Sequence, residues 1–191
     1  MRNYSLALLS MLFLGLAACE QPVPHKTAAN DGYYNLAAYV QRETRRLQAE
    51  QPAVLKSVTT EREPAETLQL NNLDWAEELS IFAEADISKP TLREYYTRQE
   101  QLLPDGTTAV TYVKEENAEA PVERLYLELT PDQHLRYLEA TLLDQNILFY
   151  SRRKAILEAN PLNGNLATYR VDGVQKLIFS DSLHYSVQAN L

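Results

Sequence analysis

One cysteine, five glycines and three histidines stand among 191 residues. A lone cysteine cannot close an internal disulfide or build a thiolate metal cluster. Scarce glycine disfavours the phosphate-cradling loops and dinucleotide fingerprints that need close backbone approach. His25, His134 and His184 share no ligand spacing and no HExxH pattern, so no metal or cofactor is expected. Basic residues are outnumbered, 18 Lys and Arg against 26 Asp and Glu, which leaves a formal charge of -8. That sign argues against nucleic acid or an anionic lipid surface as the main partner. No stretch beyond the first twenty residues is long and apolar enough to span a bilayer.

What is present begins at the N-terminus. Arg2 supplies a positive charge, and Leu6 to Leu16 is a short apolar run. Ala17 and Ala18 then precede Cys19, the pattern of a secretory signal with a small-residue cleavage site. The ending Leu16-Ala17-Ala18-Cys19 resembles the lipobox of bacterial lipoproteins. The resemblance implies a signal peptide over 1–18, cleavage before Cys19, and acylation of the Cys19 thiol. Two or more acyl chains hold a protein firmly on a membrane, at roughly 0.8 kcal/mol per buried CH₂. Loss of Arg2 with the signal takes the charge from -8 to -9. No free thiol then remains for disulfide, metal or nucleophile.

Residues 19–32 contain Pro22 and Pro24 and no apolar period, so they read as a tether. Fully extended, it spans at most about 45 Å. Residues 33–191 read as one domain, and a mature chain of about 170 residues suffices for a real core. Asn35 to Gln51 is predicted as a helix stopped by Pro52, with Leu36, Tyr39, Val40 and Leu47 on one face. Arg42, Arg45 and Arg46 are expected on its solvated side. Val54–Thr60 and Thr67–Leu70 suggest a hairpin. Asp74 to Ala85 reads as a second helix, with Trp75, Leu79 and Phe82 on one stripe. From Leu92 the pattern changes to short alternating runs with turn signals. Pro104-Asp105-Gly106 and Asp172-Gly173 each predict a hairpin turn. The runs predict about eight antiparallel strands in up-and-down order, with a helical alternative for Leu135 to Leu143.

Twelve tyrosines against four phenylalanines put a tyrosine on nearly every predicted strand. A tyrosine ring packs while its hydroxyl seeks a partner, which suits a half-wet surface. Cross-strand pairing is one account of this bias. The other is an amphipathic lining, and Trp75, Phe82, Tyr126, Tyr137, Tyr150 and Tyr169 are its candidate ligand-facing residues. No catalytic residue is identified. Asp181, Ser182 and His184 are close in sequence, but a triad needs convergence in space, and turn chemistry explains the first two. Paired carboxylates such as Glu77-Glu78 and Glu115-Glu116 are too numerous to signal glycosidase chemistry. Arg152-Arg153-Lys154 falls within a strand, so Arg153 is expected to face away from the other two.

Helices followed by a long antiparallel meander predict an α+β domain with the helices on one face of a curved sheet. Over residues 35–190 that order resembles the half-barrel carriers of lipoprotein localisation. Their fold encloses an apolar cavity for acyl chains. The chain also resembles uncharacterised lipoproteins of Bacteroidota. Under the lipoprotein sorting rule, Glu20 in place of Asp favours the outer membrane, and Gln21-Pro22 in place of an acidic run favours the periplasmic side. The expected function is a non-enzymatic envelope lipoprotein that binds an apolar or amphipathic ligand between helices and sheet. An assembly module docking on another envelope protein without a cavity is the alternative, and a hydrolase a distant third.

Overall fold

The computed structural model describes residues 32–191. The expected signal peptide over 1–18, Cys19 and nearly all of the expected tether therefore lie outside the described residues. Helix α1, Leu36–Glu50, starts where the Asn35 side chain accepts a hydrogen bond from the Ala38 amide at 2.9 Å. It ends at Gln51, whose φ of 43° takes the left-handed conformation, one residue before Pro52. Leu36, Tyr39, Val40, Glu43 and Leu47 are its buried stripe. Strands β1, Val54–Thr60, and β2, Glu66–Leu70, form the first hairpin.

The second helix is broken in two. Asp74 caps α2, Trp75–Glu78, by accepting from the amides of Ala76 and Glu77. Leu79, at φ -96° and ψ 5°, interrupts the turn before α3, Ser80–Glu84. Trp75, Leu79 and Phe82 nevertheless share one buried stripe. A third short helix, α4, Pro90–Arg93, occupies the start of the segment expected to be a strand from Leu92, with proline in its first turn.

Seven strands then follow in meander order. They are β3 (Tyr96–Leu102), β4 (Thr108–Lys114), β5 (Val122–Leu129), β6 (Leu135–Gln145), β7 (Phe149–Ala159), β8 (Leu166–Leu177) and β9 (Leu183–Asn190). The β1–β2 hairpin adds beside β9, giving one antiparallel sheet of nine strands in the order β2-β1-β9-β8-β7-β6-β5-β4-β3. The two ends of that order do not pair, so the sheet is open. The expected class holds in its coarse form, helices with an antiparallel sheet, but the helices are short and the chain is mostly β. The helical alternative at 135–143 is not adopted.

Asp172-Gly173 corrects the predicted turn. The pair sits in the middle of β8, which continues straight through it. Glycine serves a close approach there: a Cβ on residue 173 would lie 2.2 Å from Cζ of Tyr185. The other Asp-Gly pair does turn the chain, with Gly106 at φ 82° between β3 and β4.

Period-two alternation divides the sheet into two faces. Tyr112, Leu125, Ala140 and Ala155 are in register across β4 to β7, and Leu127, Leu138, Leu157 and Tyr169 form the next row on the same face. With α1, α2 and α3 they make up the buried core. Buried Glu43 of α1 accepts from the Leu166 amide at 2.9 Å, beside the irregular register at Glu158/Ala159, and pairs with Arg42 and Arg46. Two of the three arginines expected to face solvent are therefore held by one buried carboxylate.

Candidate functional site

The six candidate ligand-facing residues do not meet. Trp75 and Phe82 are 1% and 0% exposed within the core. Tyr169 joins them from β8, edge-on to Phe82 with ring centroids 6.2 Å apart. Its hydroxyl donates to Glu78, which also receives Lys56 Nζ at 2.6 Å. Burial pushes the Tyr169 hydroxyl pKa well up, and the Glu78 carboxylate adds to the shift. This cluster fastens α2 to the sheet.

Tyr126, Tyr137 and Tyr150 alternate onto the opposite face, which the helices leave uncovered. Tyr126 and Tyr137 pack edge-to-face at 6.0 Å, and their hydroxyls donate to Glu128 and Glu139 at 2.8 and 3.2 Å. Arg124 lies over the Tyr126 ring and bonds Glu139 at 3.1 Å. Burial, followed by the Glu139 carboxylate, lifts the Tyr137 pKa to about 12. Around them, Lys154 pairs with Glu139 at 2.9 Å and Arg152 with Glu123 at 3.1 Å. Arg153 turns the other way, as the alternation predicts, and meets Glu84 of α3 at 2.8 Å. A shallow groove of about 320 Å³ on this face is lined by Thr141, Arg152, Lys154, Asp172, Val174 and His184, among others. Its cations at 152 and 154 already have carboxylate partners.

The arrangement that calls for a function stands at one end of the sheet. The turn from β6 to β7 is built by Asn146. Its side-chain oxygen accepts from the amides of Leu148 and Phe149 at 2.9 and 3.0 Å. This Asx geometry leaves Ile147 at the apex, 90% exposed. The neighbouring turn, from β8 to β9, closes with the Ser180 amide on the Leu177 carbonyl at 3.1 Å and leaves Phe179 96% exposed. The two turns are joined. Phe149 pairs with Leu177, and the Ile178 amide donates to the Leu148 carbonyl at 3.0 Å. Leu148, Leu177, Ile178 and Leu183 are also exposed here. Between the turns lies an open groove of about 610 Å³, lined by Ile147, Leu148, Phe149, Tyr150, Leu177 and Ile178, with Gln145, Asn146 and Lys176 at its polar margin.

Contiguous exposed apolar side chains of this kind mark interaction sites rather than ordinary surface. Sequence reasoning assigned these residues to strands and missed them. The available signal was loss of alternation: Ile147-Leu148-Phe149-Tyr150 and Leu177-Ile178-Phe179 are unbroken apolar runs beside turns, where a half-buried strand would place polar residues at every second position.

Among the described residues no group of three or more His, Cys, Asp or Glu side chains is placed to hold a metal ion. His184 stands 3.8 Å from Glu61. No helix among them is long and apolar enough to cross a membrane. Compared with protein-family models, curated proteins and solved structures, the chain matches none.

Proposed function

We propose that this chain is a non-enzymatic lipoprotein of the cell envelope that works as a docking module through the apolar end of its sheet. In this reading acylated Cys19 holds it on the outer membrane, facing the periplasm, and the described domain presents its two joined turns to a binding surface. The observation that carries the reading is the pair Ile147 and Phe179, 90% and 96% exposed on adjoining turns that a hydrogen bond ties together. Covering a large apolar side chain contributes about 1.5–3 kcal/mol, so two such residues alone provide appreciable affinity.

The half-barrel likeness belongs to the same proposal. Helices on one face of an open antiparallel sheet agree with it in outline. A ligand held between helices and sheet draws less support, because Trp75 and Phe82 are packed in the core and line neither groove.

The test is a photo-reactive residue placed at position 179 of the full chain in living bacteria. An adduct at 179, lost on Ile147→Glu substitution and absent from a probe at Leu162, is the expected result. Leu162 is 87% exposed on the turn at the opposite end of β7. No adduct at 179, or equal adducts at both sites, overturns the docking reading. The anchor is tested separately. Cys19→Ser is expected to move the protein from the membrane to the soluble periplasmic fraction, and unchanged membrane fractionation overturns that part.

A further inference from the structure

We infer that the surface met by the apolar end is a zwitterionic lipid bilayer, entered by Ile147, Leu148, Ile178 and Phe179. The inference rests on the reading that this end docks, and it names the occupant. Side-chain order along the strands is the first argument. Behind the apolar turns, Phe149 pairs with Leu177, and in the next row Tyr150 pairs with Lys176. Strand residues advance about 3.3 Å each, so the tyrosine and the lysine stand at a nearly common depth just behind the apolar tips. Tyrosine and lysine combine an apolar body with a polar end and favour the headgroup layer. The Lys176 ammonium group has no ion pair or side-chain hydrogen bond among the described residues, whereas Arg124, Arg152, Arg153 and Lys154 all have carboxylate partners. It is available to a lipid phosphate.

Shape and charge narrow the choice further. Ile147 and Phe179 project from turns as knobs. A protein partner would need matching pockets, while a bilayer only has to part. The neighbouring turns on this end are acidic. Thr60 pairs with Tyr185, which places Glu61, Arg62 and Glu63 beside the β8–β9 turn, where Arg62 meets Asp181 at 3.8 Å. The Leu143 amide donates to the Pro121 carbonyl, which sets the segment containing Glu115, Glu116 and Glu119 on the same end. Such a rim repels an anionic membrane and a second copy of itself, but it tolerates zwitterionic headgroups.

The single cysteine makes the test direct. The full chain carrying Cys19→Ser and Phe179→Cys takes an environment-sensitive nitrobenzoxadiazole label at position 179 alone, and a second protein carrying Cys19→Ser and Leu162→Cys takes it at 162. Phosphatidylcholine vesicles are expected to move the emission at 179 to shorter wavelength, raise its intensity several-fold and leave 162 unchanged. Lys176→Glu is expected to diminish the response, as is adding phosphatidylglycerol to the vesicles. No shift at 179, or equal shifts at both positions, overturns the inference. If vesicles give no shift while the cellular probe at 179 captures a protein, the bilayer is ruled out and the docking reading survives. If neither responds, both fall.

Discussion

The ring of Tyr185 lies across Gly173, near enough that a Cβ on residue 173 would stand 2.2 Å from its Cζ and 2.4 Å from its hydroxyl oxygen. The two are cross-strand partners in β8 and β9, so the ring covers backbone that a side chain would otherwise shield. Gly173→Ala is expected to force the ring aside and cost about 1 kcal/mol, because the crowded atoms are the movable end of a side chain. In a Tyr185→Ala background the same change is expected to cost nothing or to stabilise, since alanine suits a strand better than glycine. Chemical unfolding of the four proteins in a double-mutant cycle checks this, and equal costs in both backgrounds would count against it.

That pair also explains why the strand count came out differently from the sequence. Asp-Gly normally signals a turn because glycine accepts positive φ. Gly106 adopts that conformation, while Gly173 is selected by a ring arriving from ten or more residues downstream. Local pattern cannot separate the two. Elements specified locally were legible: α1 from Asn35, its apolar stripe and Pro52; the β1–β2 hairpin; and the faces of β5 from alternating Leu125, Leu127 and Leu129. The exposed apolar end was not legible. Exposure of Ile147 and Phe179 follows from β7 and β8 pairing to the very end, Phe149 with Leu177, which is a tertiary fact.

Glu43 offers a second check. It is fully buried, accepts from the Leu166 amide, and is held by Arg42 and Arg46 at 3.2 and 2.8 Å. Removing it strands one amide and takes the carboxylate from Arg42, while Arg46 keeps Glu50 at 2.6 Å. Glu43→Ala is expected to destabilise by about 1–3 kcal/mol, chiefly by leaving the buried Leu166 amide without an acceptor. Glu43→Gln, which retains an acceptor for the amide, is expected to lose less. Denaturant midpoints of the two variants decide it; equal losses would mean that charge, and not the bond to Leu166, is what matters.

Buried and half-buried tyrosines set the alkaline limit of the fold. Burial lifts Tyr34, Tyr96 and Tyr137 to about 12, from an ordinary value of 10.0. Tyr39 and Tyr169 are raised as well, chiefly by burial. Below pH 10 these hydroxyls are protonated in both states and contribute no pH dependence. Above it the unfolded chain releases protons that the folded chain retains, so stability is expected to fall as pH rises from 10 toward 12. Absorbance titration should show part of the tyrosinate appearing only with unfolding. A full tyrosinate signal from protein that remains folded would contradict the assignment.

The exposed turns and the core call for opposite outcomes from similar substitutions. Phe82 is 0% exposed, and Phe82→Ala is expected to cost about 3–5 kcal/mol through lost burial and the cavity left behind. Phe179 is 96% exposed, touches little in the folded domain, and Phe179→Ser is expected to change stability by no more than about 0.5 kcal/mol. Ile147→Ser should behave in the same way. If these apolar side chains instead closed against the domain in solution, both serine variants would lower the unfolding midpoint. Thermal unfolding of the three variants separates the cases. Serine substitutions that leave the fold intact would also make it possible to attribute any loss of binding at this end to the surface itself.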